Sequence, residues 1–175
     1  MKIELKKIKT NLAFSEETIM FNAEVCINGV VVGTAQNDGH GGNTYYGANG
    51  YGLSDEIRER NKTLIKQAED FCKALPKIKV ADLNFEYDQS LESVIDDLIS
   101  KHLEEKEVKK LEKKMETHIM WGIPNGSSYA YINFKQPLAN LPKDKLQNYV
   151  NQYKLKLKKG EVFLNTNFEK LGIKI

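Results

Sequence analysis

Cysteine is nearly absent. Cys26 and Cys72 are the only two thiols in 175 residues; they lie far apart and form no CxxC pair, which excludes a disulfide framework or a dithiol motif. Each falls in an apolar pattern, Cys26 in a strand and Cys72 in a helix, so both are expected as packing residues. No run approaches the roughly 20 apolar residues a membrane span needs. The first residues carry charges throughout and lack the apolar h-region of a secretory signal, so a cytoplasmic protein with no membrane partner is expected. A one-signed charge is also missing. The 26 basic and 24 acidic side chains leave +2, without the basic excess of a dedicated duplex-DNA binder. His40, His102 and His118 have no second ligand at zinc-site spacing, so no metal is expected, and no cofactor. There is no internal repeat.

A 41% share of hydrophobic residues is enough for one domain with its own core. Ile3 and Leu5 alternate with polar residues, and Ile19, Phe21, Ala23, Val25 and Ile27 do so over nine positions, a strand period. Asn28-Gly29 then precedes Val30-Val31-Val32, the chemistry of a type I′ hairpin turn. This predicts an antiparallel meander of three strands ending near Gln36. From Asp55 to Leu75 the apolar residues recur at helical spacing, with Ser54 as N-cap and Pro76 as the stop. Val80, Leu83, Phe85 and Tyr87 suggest a short strand. Ser90 caps a second helix running to Glu116, apolar at Leu91, Val94, Ile95, Leu98, Ile99 and Leu103. Beyond Leu103 its seam narrows to Val108, Leu111 and Met115, which reads as a solvated helix or, alternatively, a partner-docking arm.

Strands return at 117–123 and 128–134 around a Pro124–Ser127 turn. A helix from Leu146 to Leu157, closed by Gly160, and a strand at Val162–Leu164 follow. The class is α+β: an N-terminal meander, helices, a long charged helix, and a C-terminal hairpin plus helix. One domain over 1–175 is expected, with lobes 1–88 and 117–175 joined by helix 90–116 as the alternative division.

The most unusual feature is glycine. Eight of the twelve glycines fall between Gly29 and Gly52, so residues 33–52 read as a surface loop. It is not a known phosphate loop, since no glycine there precedes a lysine and GxGxxG fails at Thr44. Backbone N–H groups in such a run still offer an anion nest, and its Asn and Tyr content suits a protein contact. The candidate partner- or ligand-binding residues are Asn37, Asp38, Gly39, His40, Gly41, Gly42, Asn43, Thr44, Tyr45 and Tyr46. Gly39, Gly41 and Gly42 would shape the loop, Asn37 and Asn43 hydrogen-bond, and Tyr45 and Tyr46 pack on the partner. Asp38 and His40 sit two apart in the loop, and Tyr45 or Tyr46 could supply a proton beside them, the groups an acid–base site would use. Tyr129, Tyr131 and Asn133 share one strand face, which either stacks bases or lies half-buried under the long helix.

Several strings resemble a family of small uncharacterised proteins of bacterial and bacteriophage genomes: Ser15-Glu-Glu-Thr18, Ile27-Asn-Gly-Val30, Asn37-Asp-Gly-His-Gly-Gly42, Met120-Trp-Gly-Ile-Pro124, Ile132-Asn-Phe-Lys135 and Phe163-Leu-Asn-Thr-Asn167. The resemblance covers nearly the whole chain and implies context rather than activity: a phage or mobile-element accessory protein, where inhibitors of host defence are common. Together these readings predict a non-enzymatic binding protein whose loop contacts a protein or a phosphate-bearing nucleotide. The alternatives are a single-stranded nucleic-acid module and a small enzyme using Asp38 and His40.

Overall fold

The computed structural model describes residues 1–80 and 85–175, so the expected strand residue Leu83 lies outside the described residues. The architecture is α+β, with antiparallel sheets and three α-helices among the described residues. The chain divides into two compact units, Met1–Leu103 and Glu104–Ile175.

In the first unit, β1 (Ile3–Thr10), β2 (Phe21–Ile27), β3 (Val30–Asn37) and β4 (Tyr45–Ala48) pair in sequence order. Asn28 and Gly29 both take positive φ, 50° and 86°, as a type I′ turn requires. The alternating apolar side chains of β2 and β3 bury Phe21, Ala23, Val25, Ile27, Val32 and Ala35. Helix α1 (Asp55–Lys73) adds Ile65, Ala68 and Cys72 to that core, and the start of α2 (Leu91–Met115) adds Leu91, Ile95 and Ile99. Both cysteines are buried and unbridged. Ser54 caps α1 by accepting from the Ile57 N–H. Ser90 and Ser93 cap α2 reciprocally, each hydroxyl accepting the other's N–H at 3.1 and 2.9 Å, a capping box.

Three expectations change here. The meander has four strands, not three, and the fourth lies inside the supposed 33–52 loop. Gly33–Asn37 complete β3 and Tyr45–Ala48 form β4, so only residues 38–44 and 49–53 connect elements. The reason is close approach: Gly33 lies against the Gly47 carbonyl and Ala48, a spacing that only a residue without Cβ permits. Finally, the connector after α1 holds two short paired strands, β5 (Ile78–Val80) and β6 (Phe85–Tyr87), rather than one.

In the second unit, β7 (His118–Gly122) is flanked by β8 (Tyr129–Asn133) and β9 (Val162–Phe163). Ile119 and Phe163 pack with Leu146 and Val150 of α3 (Lys143–Lys154) and with Phe168 and Ile173 of the tail. Helix α3 stops at Lys154, not at Gly160, which belongs to a separate turn where the Glu161 N–H donates to the Lys158 carbonyl. Asn165 accepts from the Met120 N–H at 2.7 Å and donates to the His118 carbonyl, while Asn167 donates to the Met115 carbonyl at the end of α2. The Leu-Asn-Thr-Asn string is thus a polar clasp that extends the sheet edge where β9 ends. Residues Glu104–Lys110 of α2 are exposed throughout. Among the described residues no helix is long and apolar enough to cross a membrane.

Candidate functional site

The 38–44 connection is tied down from three sides. Asn37, at the end of β3, is buried and uses its whole carboxamide internally. Its Oδ1 accepts from the Thr18 hydroxyl at 2.7 Å and the Gly39 N–H at 2.8 Å. Its Nδ2 donates to the Gly42 carbonyl at 3.0 Å and to Thr44 Oγ1 at 3.3 Å. Gly39, at φ 90°, sits so close to the Phe14 carbonyl that a Cβ would collide with it. Its own carbonyl accepts from the Glu16 and Thr18 N–H groups. From α2, Glu92 accepts the Thr44 N–H at 2.9 Å and Asp96 accepts its hydroxyl at 2.6 Å. Burial raises the Asp96 carboxyl above its ordinary range, against the opposing pull of that hydroxyl.

This geometry redistributes the candidate residues. Asn37 and Thr44 are structural, because their polar groups are already satisfied inside the protein. Gly39 and Gly41 take positive φ in the turn, 90° and 88°. Asp38 accepts from the His40 backbone N–H at 3.2 Å, whereas the His40 ring pairs with Glu16 at 3.1 Å. Hydrogen bonding to Glu16 raises the His40 pKa, with the nearby charges of Glu16 and Asp38 adding to it. The imidazole is therefore tied to Glu16 at the surface, an ion pair whenever the ring is protonated, and Asp38 engages its backbone rather than its ring. Gly42 and Asn43 are exposed at the turn. The N–H groups of Gly39, His40, Gly41 and Thr44 are taken by Asn37, Asp38, Thr18 and Glu92, which takes four of the turn's donors away from an anion nest.

The two tyrosines separate. Tyr46 faces the core side, and its hydroxyl donates to Glu69 on α1 at 3.0 Å. Burial and that carboxylate push its pKa up to about 12. Tyr45 points the other way and is 69% exposed. It is the end of a row across all four strands, since Lys9 pairs with Asn22, Asn22 with Gln36 and Gln36 with Tyr45. Residues paired across antiparallel strands share a face, and all four are exposed on the outer face. The row spans three strand spacings, roughly 14 Å. Together with Asn11, Met20 and Asp38 it lines a recess of about 560 Å³, within the size range of ligand and side-chain pockets. Leu12 and Phe14, at 64% and 61% exposed, occupy the neighbouring turn.

Lys9, Asn22 and Gln36 carry no sequence signal as a group. Their alignment depends on strand register, including the shift in β1 between Lys6 and Lys9. In the second unit, the tyrosine face is partly covered by α2: Lys114 Nζ lies 5.1 and 4.5 Å from the Tyr129 and Tyr131 ring centres and 3.2 Å from the Tyr129 hydroxyl. Among the described residues no group of three or more His, Cys, Asp or Glu side chains is placed to hold a metal ion. The fold defines an α+β protein with an outer-face recess on its N-terminal sheet. No protein-family model, curated protein or solved structure matches the chain.

Proposed function

We propose that the chain is a non-enzymatic binding protein that engages a partner protein through the recess on the outer face of β1–β4. The observation that carries this reading is Tyr45, an exposed aromatic side chain in register with Lys9, Asn22 and Gln36 and lining one recess with them. Aromatic anchors beside amides and a polar rim are the composition of protein-contact hot spots. A phosphate-bearing nucleotide is the weaker occupant. Four of the turn's N–H groups are already committed, and Glu16, Glu17, Asp38, Glu92 and Asp96 surround it with carboxylates. The phage or mobile-element setting, with inhibition of a host factor as the role, rests on the resemblance of the quoted strings.

Native mass spectrometry of the chain purified from the cells that encode it tests this reading. The expected result is a retained polypeptide that Tyr45→Ala removes, with the melting temperature unchanged. Tyr46→Ala is instead expected to lower the melting temperature, because it deletes a core-facing ring. A retained nucleotide, or a partner kept equally by Tyr45→Ala, would sink the proposal.

A further inference from the structure

The near-zero net charge conceals a strong local imbalance. Residues 135–175 hold nine lysines against Asp144, Glu161 and Glu169, a side-chain charge of +6. Among the described residues, every ion pair within 4 Å lies between Lys2 and Lys110, so none of these nine lysines pairs with a described carboxylate. Four of them, Lys154 at the end of α3 and Lys156, Lys158 and Lys159 between it and β9, fall within six residues, and all four are exposed. Like charges at that density repel one another. The turn nevertheless holds its shape, because the Lys158 N–H donates to the Glu161 carboxylate at 2.8 Å and the Glu161 N–H returns to the Lys158 carbonyl. Such a fixed concentration of unpaired cations is an electrostatic footprint for a polyanion.

Aromatic rings adjoin it. Tyr153, in the last turn of α3, lies 5.1 Å from Trp121 of β7, ring centre to ring centre, and Lys156 Nζ sits 4.8 Å from the Tyr153 ring centre. Both rings are half-buried and keep part of their surface open. Trp121 also lines a recess of about 430 Å³ with Ile123, Ser127, Ser128 and Tyr129. Tyr129 and Tyr131, the rings first placed to stack bases, lie beside Lys114 of α2, whereas Tyr153 is the ring beside a lysine of the turn itself, with Trp121 against it.

We propose that the C-terminal unit binds single-stranded nucleic acid, with the Lys154–Lys159 turn on the phosphates and the Trp121–Tyr153 pair against a base. Lysines alone would suit any polyanion. Open aromatic rings beside them favour a strand whose bases are free to stack, which an acidic protein or an intact duplex does not offer. This surface is distinct from the Tyr45 recess, and the two readings stand or fall separately.

The test uses the full chain, a fluorescein-labelled oligothymidylate of roughly 20 nucleotides, and Trp121, whose fluorescence reports alone because it is the one tryptophan. Binding is expected at about 50 mM salt, with affinity falling toward 200 mM along a log–log slope of about −3, four phosphates at about −0.7 each. Trp121 emission is expected to be quenched on binding. The variant K154Q/K156Q/K158Q/K159Q, its fold verified by circular dichroism, is expected to lose at least about tenfold in affinity and most of the slope. No binding at the lower salt would overturn the proposal, as would unchanged affinity in the variant. Equal competition by polyglutamate would reassign the surface to an acidic protein. Equally tight duplex binding without quenching would remove the stacking role.

Discussion

The carboxamide of Asn37 accepts two hydrogen bonds and donates two, and through them joins β3, the Thr18 turn and the 38–44 connection. Removing it leaves the buried partners short of bonds, which costs more than the bonds themselves are worth. Asn37→Ala is therefore expected to lower stability by about 2 to 3 kcal/mol, read from urea denaturation at constant m-value. A loss below about 0.5 kcal/mol, the range of ordinary surface substitutions, would show that water replaces the network. As a residue type, Asn before Asp-Gly reads as an exposed turn, and that is why the chain's composition pointed to ligand contact here. Its burial depends on Thr18, nineteen positions earlier, and on Thr44, whose hydroxyl is held by Asp96. No local pattern encodes that convergence. Tyr45 and Tyr46 illustrate the same limit: alternation says they face opposite ways, but only the pairing of β3 with β4 says which one is outside.

Among the elements, β2, β3, α1 and α2 were legible because long periodic apolar patterns and capping serines specify them. Strand β4 was not. Tyr-Tyr-Gly-Ala has no apolar alternation, and its pairing is allowed by one small residue across from it, Gly33, whose missing Cβ lets the backbones approach. A Cβ at position 33 would meet the Gly47 carbonyl oxygen directly and lie 3.3 Å from Ala48 Cα. Gly33→Ala should thus displace β4, at a cost of about 1 to 3 kcal/mol for an overpacked site. Amide hydrogen exchange gives the sharper readout. Protection should fall at Tyr45–Ala48 and in the facing part of β3 while β1 and β2 keep theirs. Uniform loss over the sheet would mean that β4 unfolds with the whole unit rather than as a separable edge. The clasp at Asn165 and Asn167 was visible only as an unusual string, since its partners are backbone groups of β7 and the end of α2.

At the scale of the molecule, five titrating groups among the described residues are shifted the same way by folding. His40, Tyr46, Lys66, Cys72 and Asp96 all have raised pKa values, so at these groups the folded chain holds protons more tightly than the unfolded chain. Their stabilising contributions are complete below each unfolded value and are lost as pH rises through the folded one. For Asp96 the loss begins above the ordinary carboxylate value of 3.8. For Tyr46 it occupies the window from 10 to about 12, where the unfolded chain ionises the phenol and the folded chain does not. Screening by solvent at the partly exposed phenol limits its share to about 1 kcal/mol. Denaturant midpoints measured between pH 9 and 12 are expected to fall in the wild type. Tyr46→Phe costs about 1 kcal/mol at neutral pH through loss of the Glu69 hydrogen bond, yet it should flatten the alkaline decline, because no phenol remains to ionise. The two effects have opposite signs at opposite ends of the range, so the curves should converge as pH rises. Parallel curves would place the alkaline sensitivity in Cys72 or Lys66 instead and remove Tyr46 from the account.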